Sequence, residues 1–194
     1  MTCKVTFEGR PVVPLPSGDV LCGVVDDRDH LRIRRESEVG TIAWDVDLGL
    51  LGEDPSLRYA DSWTSDYGCL YWTVTDTLVL LGDTTALVIG AADGSVRASY
   101  ELEPVGKSSL EVCGVSLVPE ADAVLIVSAK RVWLIGSDLK VLLRVDTDAL
   151  LASFPMVEQG SLFLDEYDFE SVEGEPCTRS IPINSPSWTP PPES

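Results

Sequence analysis

The densest chemistry-bearing stretch of the chain runs Asp165-Glu166-Tyr167-Asp168-Phe169-Glu170 and continues to Glu173 and Glu175, six carboxylates within eleven residues. Such a run of oxygens could hold calcium, but the D-x-[DN]-x-[DN]-G spacing that fixes an EF-hand loop is missing. Two readings remain. One is a solvated acidic loop. The other is a contact strip for a basic protein, with Tyr167 and Phe169 as anchors of the aromatic kind that dominates interface hot spots. A second stretch holds Tyr59, Asp61, Trp63, Asp66 and Tyr67 among serines and threonines, ahead of Tyr71 and Trp72 in an expected strand. Binding tends to sit on loops of this kind, and at least one of Tyr71 and Trp72 belongs to the core. The candidate partner-binding residues are therefore Asp61, Trp63, Asp66, Tyr67, Asp165, Glu166, Tyr167, Asp168 and Glu170.

The groups needed for catalysis are sparse. His30 is the sole histidine and follows Asp26-Asp27-Arg28-Asp29, in an expected turn. A Ser–His–Asp arrangement needs only one histidine, because its members meet in space. Yet the chain has no G-x-S-x-G elbow, Walker loop or H-E-x-x-H motif, and a lone turn histidine reads as solvated. Asp45 and Asp47 stand two apart in an expected strand and share a face, with Trp44 and Val46 on the other. A glycosidase needs such a pair with one pKa raised. No apolar pocket is signalled there, so the pair reads as an exposed strand face. Arg32, Arg34 and Arg35 form the one basic cluster; Arg32 and Arg34 share a face and are expected to pair with nearby carboxylates. The five cysteines, Cys3, Cys22, Cys69, Cys113 and Cys177, form no C-x-x-C motif, and those inside apolar runs read as small core residues of a reduced protein. No catalytic residue, cofactor site or metal site is expected, and the chain reads as a non-enzyme.

Charge narrows the partners. With 32 acidic and 14 basic side chains the formal net charge is −18. Such a surface repels phosphate backbones and anionic lipid, so nucleic acid and membrane are excluded as electrostatic partners. A basic protein would be attracted and steered in. The N-terminal residues lack the apolar core of a secretory signal, and no apolar run reaches the length of a membrane span. The expected location is the cytoplasm.

The elements that must position these residues are short strands. Hydrophobic residues are 44 % of the 194, enough for a core without staples. One set of β-rich runs covers 20–25, 31–35 and 41–48. A second covers 69–74, 78–81, 86–91 and 96–102, and a third 110–118, 123–128, 131–135 and 141–145. Turn signals separate them, among them Asp93-Gly94-Ser95 and Gly136-Ser137-Asp138, and Asp-Gly between strands is a hairpin cue. A strand over 4–7 is expected to open the first set. A degraded fourth set runs from Phe154 through 161–164 to 178–183. Residues 49–66 read as an insertion, and Thr147 or Asp148 as the cap of a short helix over 147–153. The expected class is all-β, with antiparallel four-stranded meander repeats in a small propeller-like or sandwich arrangement. The domain is expected to span 1–183, with 184–194 (NSPSWTPPPES) as a proline-rich flexible tail.

Repeated meanders of this size resemble the blades of tryptophan–aspartate-repeat β-propellers. The third set carries the likeness best, through Val115-Ser116-Leu117-Val118-Pro119 as the opening strand and turn and Val132-Trp133-Leu134 as the aromatic strand. Trp44-Asp45 closes the first set as a blade would. In size and acidity the chain also resembles bacterial toxin immunity proteins. That resemblance implies an inhibitor which occludes a basic toxin or enzyme. The propeller resemblance implies a scaffold or a subunit of a larger assembly.

Overall fold

The computed structural model describes residues 12–25, 31–47, 69–81, 85–101, 114–128, 131–147, 149–167 and 176–183. His30, the 4–7 run, the 49–66 insertion, Asp61, Trp63, Asp66, Tyr67, Asp168, Glu170, and the 184–194 tail lie outside them.

The chain is all-β, as expected. Among the described residues, fifteen strands form four antiparallel sheets, each a meander in which neighbours in sequence are neighbours in space. The first holds β1 (Val12–Pro14), β2 (Val20–Val25), β3 (Leu31–Glu36) and β4 (Ile42–Asp47). The second holds β5 (Cys69–Trp72), β6 (Thr77–Leu81), β7 (Thr85–Gly90) and β8 (Val96–Glu101). The third holds β9 (Gly114–Val118), β10 (Ala123–Ser128), β11 (Arg131–Gly136) and β12 (Val141–Asp146). The fourth has three strands, β13 (Met156–Glu158), β14 (Ser161–Tyr167) and β15 (Pro176–Pro182). Two compact units divide the chain at residue 102, so each unit holds two sheets.

Composition decides which strand lies inside. Thr77-Leu78-Val79-Leu80-Leu81 and Ala123-Val124-Leu125-Ile126-Val127-Ser128 are buried throughout, because apolar residues on both faces suit a strand covered on both sides. The last strands β4, β8 and β15 are largely exposed. In β4 and β8 exposed and half-buried residues alternate over the last four positions, and β15 is exposed at every residue but Ile181. In the second and third sheets burial therefore falls toward the last strand, from β6 and β7 to β8 and from β10 and β11 to β12.

In unit 1 the first two sheets share one core of Leu15, Leu21, Ile33, Tyr71, Leu78, Leu80, Ile89 and Ala91, with Trp44 and Leu87 packed on it. In unit 2 the core joins Val118, Leu125, Val127, Val132, Leu134 and Val145 to Leu151, Leu162, Leu164 and Ile183. Each fully buried aliphatic side chain contributes about 1.5–3 kcal/mol. Tyr71 is also tied down by its polar end. Its hydroxyl donates to Asp76 Oδ1 at 2.5 Å, and burial together with that hydrogen bond pushes its pKa up to about 12.

One turn design recurs between the third and fourth strands. In the first three sheets the residue two places before the fourth strand is left-handed: Gly40 (φ 80°), Gly94 (φ 72°) and Leu139 (φ 62°). Each time a side-chain oxygen accepts the next amide: Ser37 Oγ from Thr41 at 3.1 Å, Asp93 Oδ1 from Ser95 at 3.0 Å, and Asp138 Oδ1 from Lys140 at 3.1 Å. A register shift follows at each hairpin, between Arg35 and Glu36, Val88 and Ile89, and Leu134 and Ile135. Such shifts add twist at a sheet's outer edge.

One strand is unexpected and one expectation is corrected. β1, which is not among the strands expected from the sequence, pairs with β2, with Val12 opposite Cys22, while the 4–7 run lies outside the described residues. The short turn between β1 and β2, closed by Leu15 N–H on Asp19 O at 2.8 Å, brings the immediately preceding residues into register. The described residues of the 147–153 stretch are not helical, and Asp148 lies outside them. Thr147 Oγ1 donates to Ala149 O at 2.9 Å, whereas a cap would accept an amide. The backbone beyond it bonds across to β14: Tyr167 N–H donates to Leu150 O at 2.9 Å, and Ala152 N–H to Asp165 O at 2.6 Å. These ladder bonds satisfy groups that a helix would have paired within itself.

The glycines of the repeated turn predict a graded response. A Cβ on Gly40 would meet nothing within 4 Å, whereas one on Gly94 would lie 2.7 Å from Trp44 Cε3 and 2.8 Å from Val46 Cγ2. Gly40→Ala should cost about 1–2 kcal/mol of left-handed strain, and Gly94→Ala about 1–3 kcal/mol more from overpacking. Urea denaturation of the two variants measures the difference, and equal losses would contradict this packing.

Candidate interaction surface

Of the nine candidate residues, Asp165, Glu166 and Tyr167 are described, and all three lie at the end of β14. Successive strand residues face opposite sides, so Asp165 and Tyr167 share one face and Glu166 takes the other. Asp165 stands opposite Thr178 in the register. Its carboxylate accepts from Thr178 Oγ1 at 2.7 Å and from Ser153 Oγ at 2.8 Å. Those two hydroxyls, Thr178 first, hold its pKa below the usual carboxylate range against a smaller opposing effect of burial. Glu166 Oε1 accepts from Arg179 Nη2 at 2.8 Å. Tyr167 is 38 % exposed, and its amide closes the pairing with Leu150. The described end of the acidic stretch is thus a cross-strand lattice.

The other charged groups singled out in the sequence are engaged likewise. Asp45 and Asp47 do share a face. Arg32, one strand over, reaches both, with Nε 3.1 Å from Asp45 Oδ1 and Nη1 3.3 Å from Asp47 Oδ2. Arg34 Nε lies 2.5 Å from Glu36 Oε1, an ion pair without hydrogen-bond alignment, beside buried Cys22. Arg35 points to the opposite face. It donates to Asp19 Oδ2 at 2.6 Å, Ser17 Oγ at 3.3 Å and Ala91 O at 3.3 Å. Trp44 Nε1 donates to the same Ala91 carbonyl at 3.1 Å. One carbonyl of the second sheet therefore anchors two side chains of the first. In unit 2, Arg131 and Arg144 converge on Asp146, with Arg131 also 5.4 Å from the Trp133 ring centroid. Arg131 is the first cause of the lowered pKa of Asp146. Tyr71 and Trp72 are both buried, and Cys177 is exposed.

Sequence reading missed the exposed aliphatic residues. Val39, Ile42, Val74 and Val96 in unit 1 and Val141 in unit 2 each sit in a turn or on the first residue after one. A signal exists for three of them. Gly40-Thr41-Ile42, Gly94-Ser95-Val96 and Leu139-Lys140-Val141 occupy equivalent places, each ending in a β-branched residue that opens an outer strand.

No family model matches the chain, and no curated protein does. Among solved structures it is similar to BamB from Moraxella catarrhalis, with a TM-score of 0.49 and 14 % identity over 83 % of this chain and 49 % of that one. Sqt1 of Saccharomyces cerevisiae gives a TM-score of 0.49 and 12 % identity, over 89 % of this chain and 47 % of that one. BBS1N, solved in complex with ARL6DN, gives 0.43 and 10 %, over 95 % of this chain and 56 % of that one. The chain spans about half the length of these structures.

The Asp165 lattice predicts a pH effect. A carboxyl whose folded pKa is depressed adds stability above its unfolded pKa, and that stability is lost as pH falls through the folded value. Thr178→Val should raise the Asp165 pKa toward the ordinary range and move acid unfolding to higher pH. Carbon-13 NMR titration of the carboxyl reads the first effect and circular dichroism the second; an unmoved Asp165 titration would contradict the assignment.

Proposed function

We propose that the chain is a non-catalytic, propeller-like scaffold or subunit of a larger assembly that binds other protein chains through its exposed outer strands and turns. The observation that carries this reading is the exposure of the closing strands β4, β8 and β15. Inner strands are spent on the core, while β4, β8 and β15 present side chains and, among the described pairings, one unpaired ladder edge each. Exposed strand edges and turns are surfaces that protein partners use. The described carboxylates and arginines support the same reading, because most are engaged with one another in structural pairs.

A second reading is favoured by the net charge of −18: an immunity-type inhibitor that occludes a basic toxin or enzyme. Its association would be steered by charge and would weaken with salt. Asp61, Trp63, Asp66, Tyr67, Asp165, Glu166, Tyr167, Asp168 and Glu170 would be the contact residues in that case.

The two readings separate in one experiment. The tagged chain is cross-linked in its source cells, and retained proteins are identified after washes at low salt and at about 1 M salt, where the Debye length is about 3 Å. The scaffold reading expects the same set of partners in both washes. A single basic protein lost at high salt would establish the inhibitor instead, and no partner in either wash would contradict both.

A further inference from the structure

Three of the four turns at one end of unit 1, with the strand residues that follow them, carry every large apolar side chain that the unit exposes among its described residues. These are Val39 (88 % exposed), Ile42 (47 %), Val74 (60 %) and Val96 (52 %). Val39 and Val74 lie within the 37–41 and 73–76 turns, while Ile42 and Val96 are the first residues of β4 and β8. Scattered exposed aliphatics are ordinary on a protein surface. Here they gather at a single end, and that end is physically continuous. Arg35 ties the 15–19 turn to Ala91 through Asp19 and the Ala91 carbonyl. Ala91 N–H donates to Asp76 O at 2.9 Å, joining the 73–76 and 91–95 turns. The Trp44 ring packs on Gly94, joining the 91–95 turn to β4.

The charged residues within the turns themselves have one sign. The four turns hold Asp19, Glu38, Asp76 and Asp93 and no lysine, arginine or histidine. Arg35 neutralises Asp19 and Arg97 neutralises Asp93. Asp76 takes only the neutral Tyr71 hydroxyl, and Glu38 pairs with no cation among the described residues. Two carboxylates without an ion-pair partner among the described residues thus lie in the same set of turns as the exposed aliphatics. A partner that covers the aliphatics must bring cations to those carboxylates, or it buries them unpaired at a cost.

We infer that this rim is a docking surface for a protein segment in which lysine or arginine flanks apolar side chains. The inference rests on the protein-binding reading above and names its surface and partner class.

The test uses the full chain and three synthetic peptides of equal length: one of leucine and lysine, one of leucine and glutamate, and one of serine and lysine. Fluorescence anisotropy measures each affinity. The leucine–lysine peptide should bind tightest. The Val39→Ser/Val74→Ser/Val96→Ser variant should weaken it by about tenfold. Glu38→Gln should weaken it at low salt, while Val141→Ser in unit 2 should leave it unchanged. All of these positions are exposed, and circular dichroism verifies the fold of each variant.

The inference is overturned if the leucine–lysine peptide does not bind, if the triple variant binds it equally well, or if either other peptide binds as tightly. Concentration-dependent self-association of the wild type, lost in the triple variant, would overturn it in favour of a second copy of the chain. Should the triple variant keep the cellular partners of the wild type, the rim would fall and the scaffold reading would stand.

Discussion

A meander of four strands, most of them five or six residues long, cannot bury either of its faces alone, and the rest of this structure follows from that constraint. The strands are amphipathic or apolar on both sides, so a single sheet in water would leave its leucines and valines exposed. The chain answers by making the next sheet from the next stretch of sequence. Leu21 and Ile33 of the first sheet pack in one cluster with Leu78, Leu80 and Ile89 of the second. Leu125, Val127 and Leu134 of the third do so with Leu162 and Leu164 of the fourth. The pair of sheets is therefore the natural unit of stability, as in other repeat architectures.

Polar chemistry serves the same end. The Ala91 carbonyl accepts from both Arg35 and Trp44, so backbone left over at a turn of the second sheet becomes an anchor for the first. Arg32 holds the acidic face of β4, and Thr178 with Ser153 hold Asp165. With so many charges engaged inside the sheets, the surface left for a partner is set by what remains: outer strands, exposed aliphatics at the turns, and a few unpaired carboxylates. In the proposed scaffold reading a partner meets these edges, whereas charge steering belongs to the inhibitor reading.

Much of this was legible in the sequence, and the misses have physical causes. Val and Leu runs such as 78–81 and 123–128 carry their own strand signal, and Asp93-Gly94-Ser95 announces its hairpin by chemistry. Leu139 announces nothing, because leucine in a left-handed turn is held there by the hairpin around it. Leu150 and Leu151 read equally as helix or strand. The choice is made by the β14 backbone, which the local sequence cannot see. Asp165 looked available for a partner, because Ser153 and Thr178 lie 12 and 13 residues away and meet it only through strand register. Val39, Ile42, Val74 and Val96 are spread along the chain, and only the turns of two packed sheets bring them to one end.

Hydrogen exchange on a Leu80→Ala variant tests the paired-sheet claim most directly. Leu80 lies in β6 at the shared core, and its truncation should cost about 2–5 kcal/mol. If the two sheets form one cooperative unit, amides of β2 and β3 will lose the same protection free energy as those of β6 and β7. Wild-type protection persisting in β2 and β3 while β6 and β7 open would contradict the account.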